Sequence, residues 1–151
     1  MRYVFHRSVV VAFLKGDISA VFFLESCDKA TVAVPQIVLA RLGTQIRRLD
    51  PSDVTAIIQE RFARVAVEIP RADWTDAVTQ HYLRIHGALA DAGPELGRRA
   101  ADAFEIATAA HAAAAGATLI LAEGTAPLPI PGLPVEHWGS EPRSGKEPLR
   151  P

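Results

Sequence analysis

Cys27 and the histidines are the side chains of this 151-residue chain best suited to nucleophilic or proton-transfer chemistry. A thiol works as its thiolate, so Cys27 would need His6, His81, His86 or His111 beside it, and Lys29 would lower its pKa only slightly. No spacing brings a histidine to it, and a lone cysteine in a small domain is as a rule an inert thiol. A second chemistry lies in arginine. Arg2, Arg7, Arg41, Arg47 and Arg48 could line one positive edge, joined by Arg98 and Arg99, and guanidinium groups of this kind bind phosphate. There is no interleaving of arginine with aromatic residues along the chain and no RNA-reading motif, so an ordinary solvated surface is the plainer reading of these arginines.

Composition narrows the classes further. The chain carries 16 Lys+Arg against 17 Asp+Glu, a formal charge of −1, which excludes a generally basic nucleic-acid coat. The charge runs from +3 over residues 1–50, through −1 over 51–100, to −3 over 101–151, so an anion-facing surface is expected in the N-terminal part. With 49% hydrophobic residues there is ample material for one core. A single cysteine excludes an intrachain disulfide and a multi-cysteine metal knuckle. No apolar run reaches membrane-spanning length, and MRYVFHRS lacks the long apolar region of a secretion signal, so a cytoplasmic protein without membrane attachment is expected.

The elements that must position these residues follow from pattern. Tyr3-Val4-Phe5 opens as a strand, and Val9–Leu14 either extends it or starts a buried helix capped by Ser8. A short helix is expected around Ser19–Ser26, then a buried strand at Thr31–Val34 stopped by Pro35. From Gln36 a helix shows Val38, Leu42 and Ile46 on one stripe. Asp53 caps a helix carrying Val54, Ile57, Ile58 and Phe62, and Val65–Ile69 reads as a strand closed by Pro70. A longer helix places Trp74, Val78, Tyr82, Ile85 and Leu89 on one stripe. Eleven alanines among the eighteen residues 100–117 favour helix, ended by Gly116. Thr118–Ala122 and Pro134–Glu136 complete the strands. Helices between strands imply an α/β domain with a mostly parallel sheet covered on both faces, spanning residues 1–138. Residues 139–151 read as a polar, flexible tail.

Five segments, in this order, resemble the PIN domain, in particular the small ribonuclease toxins of VapC type. Val4-Phe5-His6-Arg7-Ser8-Val9-Val10 resembles the family's first strand and its D-T-[NS] turn. Val34-Pro35-Gln36-Ile37-Val38-Leu39-Ala40-Arg41-Leu42 resembles the segment ending in L-A-E-L. Gly93-Pro94-Glu95-Leu96-Gly97 looks like the loop before the acidic helix. Ala109-Ala110-His111-Ala112 through Leu119 resembles that helix and the strand after it. Ile130-Pro131-Gly132-Leu133-Pro134-Val135-Glu136-His137-Trp138 is close to I-P-G-L-x-V-E-x-W. The resemblance implies a three-layer α/β/α fold and a ribonuclease whose carboxylates, at the C-terminal ends of parallel strands, hold Mg²⁺ or Mn²⁺.

Position by position, the resemblance implies a depleted site. His6 stands where the first aspartate belongs; imidazole can bind Mn²⁺ or Zn²⁺ but replaces a carboxylate on Mg²⁺ poorly. Arg41 stands where the glutamate of L-A-E-L belongs and cannot ligate a cation. It is either a partly exposed helix residue or an internal salt-bridge partner for a cleft carboxylate. The local motif Ala101-Asp102-Ala103 selects Asp102 as the third position, whereas spacing back from Gly116 selects Glu105. Three residues apart, both can share a helix face. Glu123 follows a strand where Asn or Asp is expected, and Asp102, Glu105 and Glu123 are the remaining candidate metal ligands.

Two functions are therefore expected. In one, the protein is a degenerate VapC-like domain with lost or strongly reduced metal-dependent ribonuclease activity. It keeps surfaces for an antitoxin-like protein, for RNA or for a homodimer, with amphipathic segments Ser19–Ser26 and Val54–Phe62 as docking candidates. In the other, it is an active endoribonuclease, the toxin of a toxin–antitoxin pair, with His6 and the acids holding Mn²⁺ or Zn²⁺ and Arg41 steadying phosphate charge.

Overall fold

The computed structural model describes residues 1–99 and 102–138. The expected tail at 139–151, like Ala101 of the local acidic motif, lies outside them. Five parallel strands form one sheet in the order β3-β2-β1-β4-β5, with β1 Tyr3–Phe5, β2 Val32–Pro35, β3 Arg71–Ala72, β4 Thr118–Leu121 and β5 Val135–His137. Between them run α1 Arg7–Leu14, α2 Ile18–Ser26, α3 Gln36–Arg47, α4 Asp53–Glu68, α5 Asp76–Asp91, α6 Pro94–Arg99 and α7 Ala103–Ala115.

Alternation along the strands divides the interior. Phe5, Val32, Val34 and Ile120 face a core built with Val9, Val10, Phe13, Leu24, Leu42, Ile46 and Val65 of the first four helices. Val4, Leu119 and Leu121 face the other way, against Ala112 of α7 and Ala117 beyond it. Outside that layer α7 packs on α5 through Ile106, Ala109 and Ala110 against Val78, Ile85 and Leu89. The alanines let α7 lie close to both neighbours. The expected α/β/α architecture with a parallel sheet is what forms.

Five local expectations are corrected. Asp53 does not cap α4 but is its first residue; Ser52 caps it, its hydroxyl accepting the Thr55 N–H at 3.1 Å. Val65–Ile69 is no strand: α4 runs on through Glu68, and β3 is the short Arg71–Ala72 after it. Val65 and Ile69 are buried four residues apart while Val67 is 84% exposed, the signature of a helix and not of an alternating strand face. Gly93–Gly97, read as a loop, holds the start of α6. Ser8 is not the cap of α1; His6 is, and Ser8 lies inside the helix. Trp74 precedes α5 and is half-exposed, because Thr75 caps that helix.

β1 pairs with β2 on one side and β4 on the other, so the chain changes direction across the sheet between β1 and β4. Such a switch point opens a crevice beyond the carboxyl ends of the strands, where α/β folds place their sites. His6 follows β1 directly and Glu123 lies just past β4.

Candidate functional site

His6 leaves the sheet and turns its side chain back to cap α1. Its Nδ1 accepts the Ser8 backbone N–H at 3.1 Å. That acceptance fixes the ring proton on Nε2, which donates to Glu105 Oε2 at 2.7 Å. The Ser8 hydroxyl lies 2.8 Å from the same Nδ1 and accepts the Ala122 backbone N–H at 2.9 Å. One hydrogen-bonded chain therefore joins the ends of β4, β1 and α7. His6 is buried, with both ring nitrogens engaged, and presents no free lone pair to a cation.

Arg7 approaches Glu105 from the other side, its Nε 3.5 Å from Oε1. Burial by itself would raise the Glu105 carboxyl; the His6 hydrogen bond, with Arg7, outweighs it and holds the carboxyl below its usual range. A depressed folded pKa gives stability that is complete above the ordinary carboxylate range and is lost as pH falls through the folded value. Unfolding free energy in that acid window is expected to drop more steeply for the wild-type chain than for Glu105→Gln. Urea melts at stepped pH would measure it, and parallel slopes would contradict this.

Asp102 and Glu105, which the sequence left as alternatives, are both used, on different partners. Asp102 caps α7, its Oδ1 accepting the Phe104 and Glu105 N–H groups at 3.1 and 3.3 Å. Arg41 reaches the same oxygen from α3, with Nη1 at 3.6 Å. The Arg41 guanidinium carbon lies 4.2 Å from the centroid of the Phe104 ring, a cation–π contact between α3 and α7. Arg41 is a partly exposed residue of α3 that also reaches a cleft carboxylate, so both readings kept open for it describe part of what forms. Glu123 is exposed and makes no ion pair among the described residues.

The charges of this cleft cancel: Arg7 and Arg41 face Glu105 and Asp102. Among the described residues no three His, Cys, Asp or Glu side chains converge as a cation site needs. A Mg²⁺ or Mn²⁺ ion, which the sequence resemblance implies, would have to break the His6–Glu105 bond, compete with the α7 cap and sit near two guanidinium groups. The residues present do not fit it.

The alternative nucleophile has its contacts elsewhere, its Sγ 3.4 Å from the Leu24 carbonyl oxygen. Cys27 is buried, and burial pushes its thiol up, more than Lys29, at 3.6 Å, lowers it. His111 packs edge-on against Trp74 at 5.6 Å, and His81 lies beside Arg84. Sequence reasoning missed Ser8, Arg7 and Phe104 as members of the site. Ser8 and Arg7 sit in the matched turn, which could have flagged them; Phe104 meets Arg41 only through the packing of two distant helices.

Neither a family model nor a curated protein sequence matches the chain. Solved structures do. A chain of VapBC2 from Rickettsia felis, bound to a DNA fragment from their promoter, superposes with a TM-score of 0.70 at 24% identity, over 91% of this chain and 99% of that one. A chain of DNA-bound VapBC from Salmonella typhimurium gives 0.66 at 17% identity, over 91% and 98% of the two chains. A chain of FitAB bound to the IR36 DNA fragment gives 0.68 at 18%, over 92% and 97%. The likeness is one of fold: the chain has the PIN-domain fold of the VapC type.

Proposed function

We propose that this protein is a VapC-like member of a toxin–antitoxin system whose metal-dependent ribonuclease activity is lost or strongly reduced, and that it acts by binding. One observation carries this reading. Two of the three candidate acids are already paired within the chain, Glu105 with His6 and Arg7 and Asp102 with Arg41. The positive charge that would offset them is covalently part of the protein, so the usual gain from admitting a divalent ion is absent while its dehydration cost stays.

An antitoxin-like protein is the partner this reading favours, because the similar structures are VapBC and FitAB complexes. The expected docking candidates differ in how they are used. On α2, Leu24 is buried, whereas Ile18 and Phe22 lie on the surface, Phe22 at 69% exposure. On α4, Val54 and Ile57 are likewise exposed, while Ile58 and Phe62 pack on the core. Surface apolar side chains of this size suit a protein partner or a second copy of the chain.

The test is cleavage of single-stranded RNA by purified protein in Mg²⁺, in Mn²⁺ and in chelator. The three rates are expected to coincide at background. A rate that rises with Mn²⁺ and falls with chelator would favour the active endoribonuclease with an altered ligand set.

A further inference from the structure

Ser8, His6 and Glu105 stand in one line of hydrogen bonds, in the order hydroxyl, imidazole, carboxylate. The Ser8 hydroxyl lies 2.8 Å from His6 Nδ1, and His6 Nε2 donates to Glu105 Oε2 at 2.7 Å. The Ser8 oxygen already accepts the Ala122 N–H, and Nδ1 carries no proton, so the hydroxyl donates to the ring. Capping α1 needs only the Ser8 backbone N–H on Nδ1. Glu105 and Ala122 reach the turn from 99 and 114 residues away and complete an arrangement that a cap does not require. A hydroxyl on an imidazole whose second nitrogen is held by a carboxylate is the geometry of an activated nucleophile, and it recurs on unrelated folds in any chain order.

The surroundings suit acyl transfer. Ser8 is half-buried and lies in the first turn of α1, whose N-terminal end carries the positive partial charge that an oxyanion needs. Arg7, with 40% of its side chain exposed and one long contact to Glu105, keeps further donors beside it. A hollow of about 10 Å³ is lined by His6, Glu105, Leu119, Leu121, Leu128 and Ile130, room for an apolar group the size of a methyl. Arg7 and Arg41 balance Glu105 and Asp102, which leaves little net field for an anionic phosphodiester. A neutral ester with a short acyl group fits both the charge and the hollow.

We propose that Ser8 is the nucleophile and His6 the general base of a metal-free hydrolysis of small carboxylic esters, with Glu105 as the positioning residue. This activity goes beyond the binding role proposed above. Ser8 Oγ attacks the acyl carbon and passes its proton to His6 Nδ1, while Glu105 holds the ring through Nε2 and faces the charge that forms. The bond from the acyl carbon to the alcohol oxygen breaks, and the alcohol leaves with the proton from His6. Water then gives a proton to Nδ1 and splits the acyl–Ser8 ester, and that proton returns to Ser8. One ester and one water become one acid and one alcohol.

The experiment is hydrolysis of p-nitrophenyl acetate by the full chain in chelator, beside labelling by a fluorophosphonate read by intact mass and peptide mapping. The wild-type chain is expected to release p-nitrophenolate catalytically and to take up one fluorophosphonate, on Ser8. Ser8→Ala removes the nucleophile, and His6→Asn keeps a good cap for α1 while removing the base. Each should lose activity at least about a hundredfold, together with the label. His6→Asn leaves Ser8 in place, so a Ser8→Ala chain that fails to fold does not decide the test. Glu105→Gln should lower kcat at least about tenfold at unchanged KM, which a general loosening of the fold would not do. His81→Gln, on the exposed side of α5, should match the wild-type chain. A label on another residue, wild-type rates in Ser8→Ala or His6→Asn, or no hydrolysis by the wild-type chain would overturn the proposal. RNA cleavage and metal titration are separate readouts, so failure here leaves the binding role standing.

Discussion

Replacing His6 by Asp and Arg41 by Glu together is expected to turn the cleft into a divalent-metal site. His6→Asp exchanges a neutral ring for a carboxylate and keeps a good helix cap at the start of α1. Arg41→Glu removes the cation that holds Asp102 and adds an acid on the same face of α3. The local charge becomes more negative by three, and Asp102 and Glu105 are released from two of their three side-chain partners; Arg7 remains, and Asp102 still caps α7. The folding cost is modest. The Arg41–Asp102 pair is partly exposed and long, worth about 0–1 kcal/mol, and the cation–π contact adds about 0.5–1 kcal/mol. Mn²⁺ affinity is expected to rise at least about a hundredfold, or about 2.8 kcal/mol. Calorimetry measures this directly, and RNA cleavage that stops in chelator would follow from it. A folded double variant that binds Mn²⁺ no better than the wild-type chain would show that charge compensation is not what closes the site.

The other large effect is structural. Phe5 ends β1, is completely buried, and packs against Phe23 of α2 with ring centroids 5.7 Å apart. It also anchors the residue that follows it, His6. Truncation to Ala removes a ring from the centre of the larger core and is expected to cost about 3–5 kcal/mol. With a urea slope of about 1–3 kcal/mol per molar, the unfolding midpoint should fall by about 1 M or more. Phe22→Ala, one residue before Phe23 but exposed, should change stability by less than about 0.5 kcal/mol. Urea melts of the two variants make the comparison, and equal shifts would mean that the first core does not close over β1 as described.

The fold was legible because its signals are local. Short apolar runs bounded by Pro35 and Gly116, separated by helical stripes, leave few arrangements besides a parallel sheet between two helical layers. Misreadings arose where two periods coincide. Val65, Val67 and Ile69 alternate as a strand would, yet Val65 and Ile69 are also one helical turn apart, and the helix begun at Asp53 simply continues. α6 went unseen because Gly93-Pro94 and Gly97 punctuate its sequence so heavily.

The site was legible as a set of positions and illegible as a set of bonds. Spacing could say that Asp102 and Glu105 share a face, but not that one caps α7 and pairs with Arg41 while the other pairs with His6 and Arg7. Those choices depend on where α3 and β1 lie against α7. The cap made by His6 was hidden for a different reason: histidine is an uncommon cap, and Ser8 two residues later offered the usual one.

The most direct test of the compensated cleft is calorimetric titration of the wild-type chain with Mn²⁺ and Mg²⁺, with Arg41→Glu run alongside. No binding of either ion below millimolar by the wild-type chain is expected, with a gain of affinity in the variant. Tight binding by the wild-type chain would contradict it.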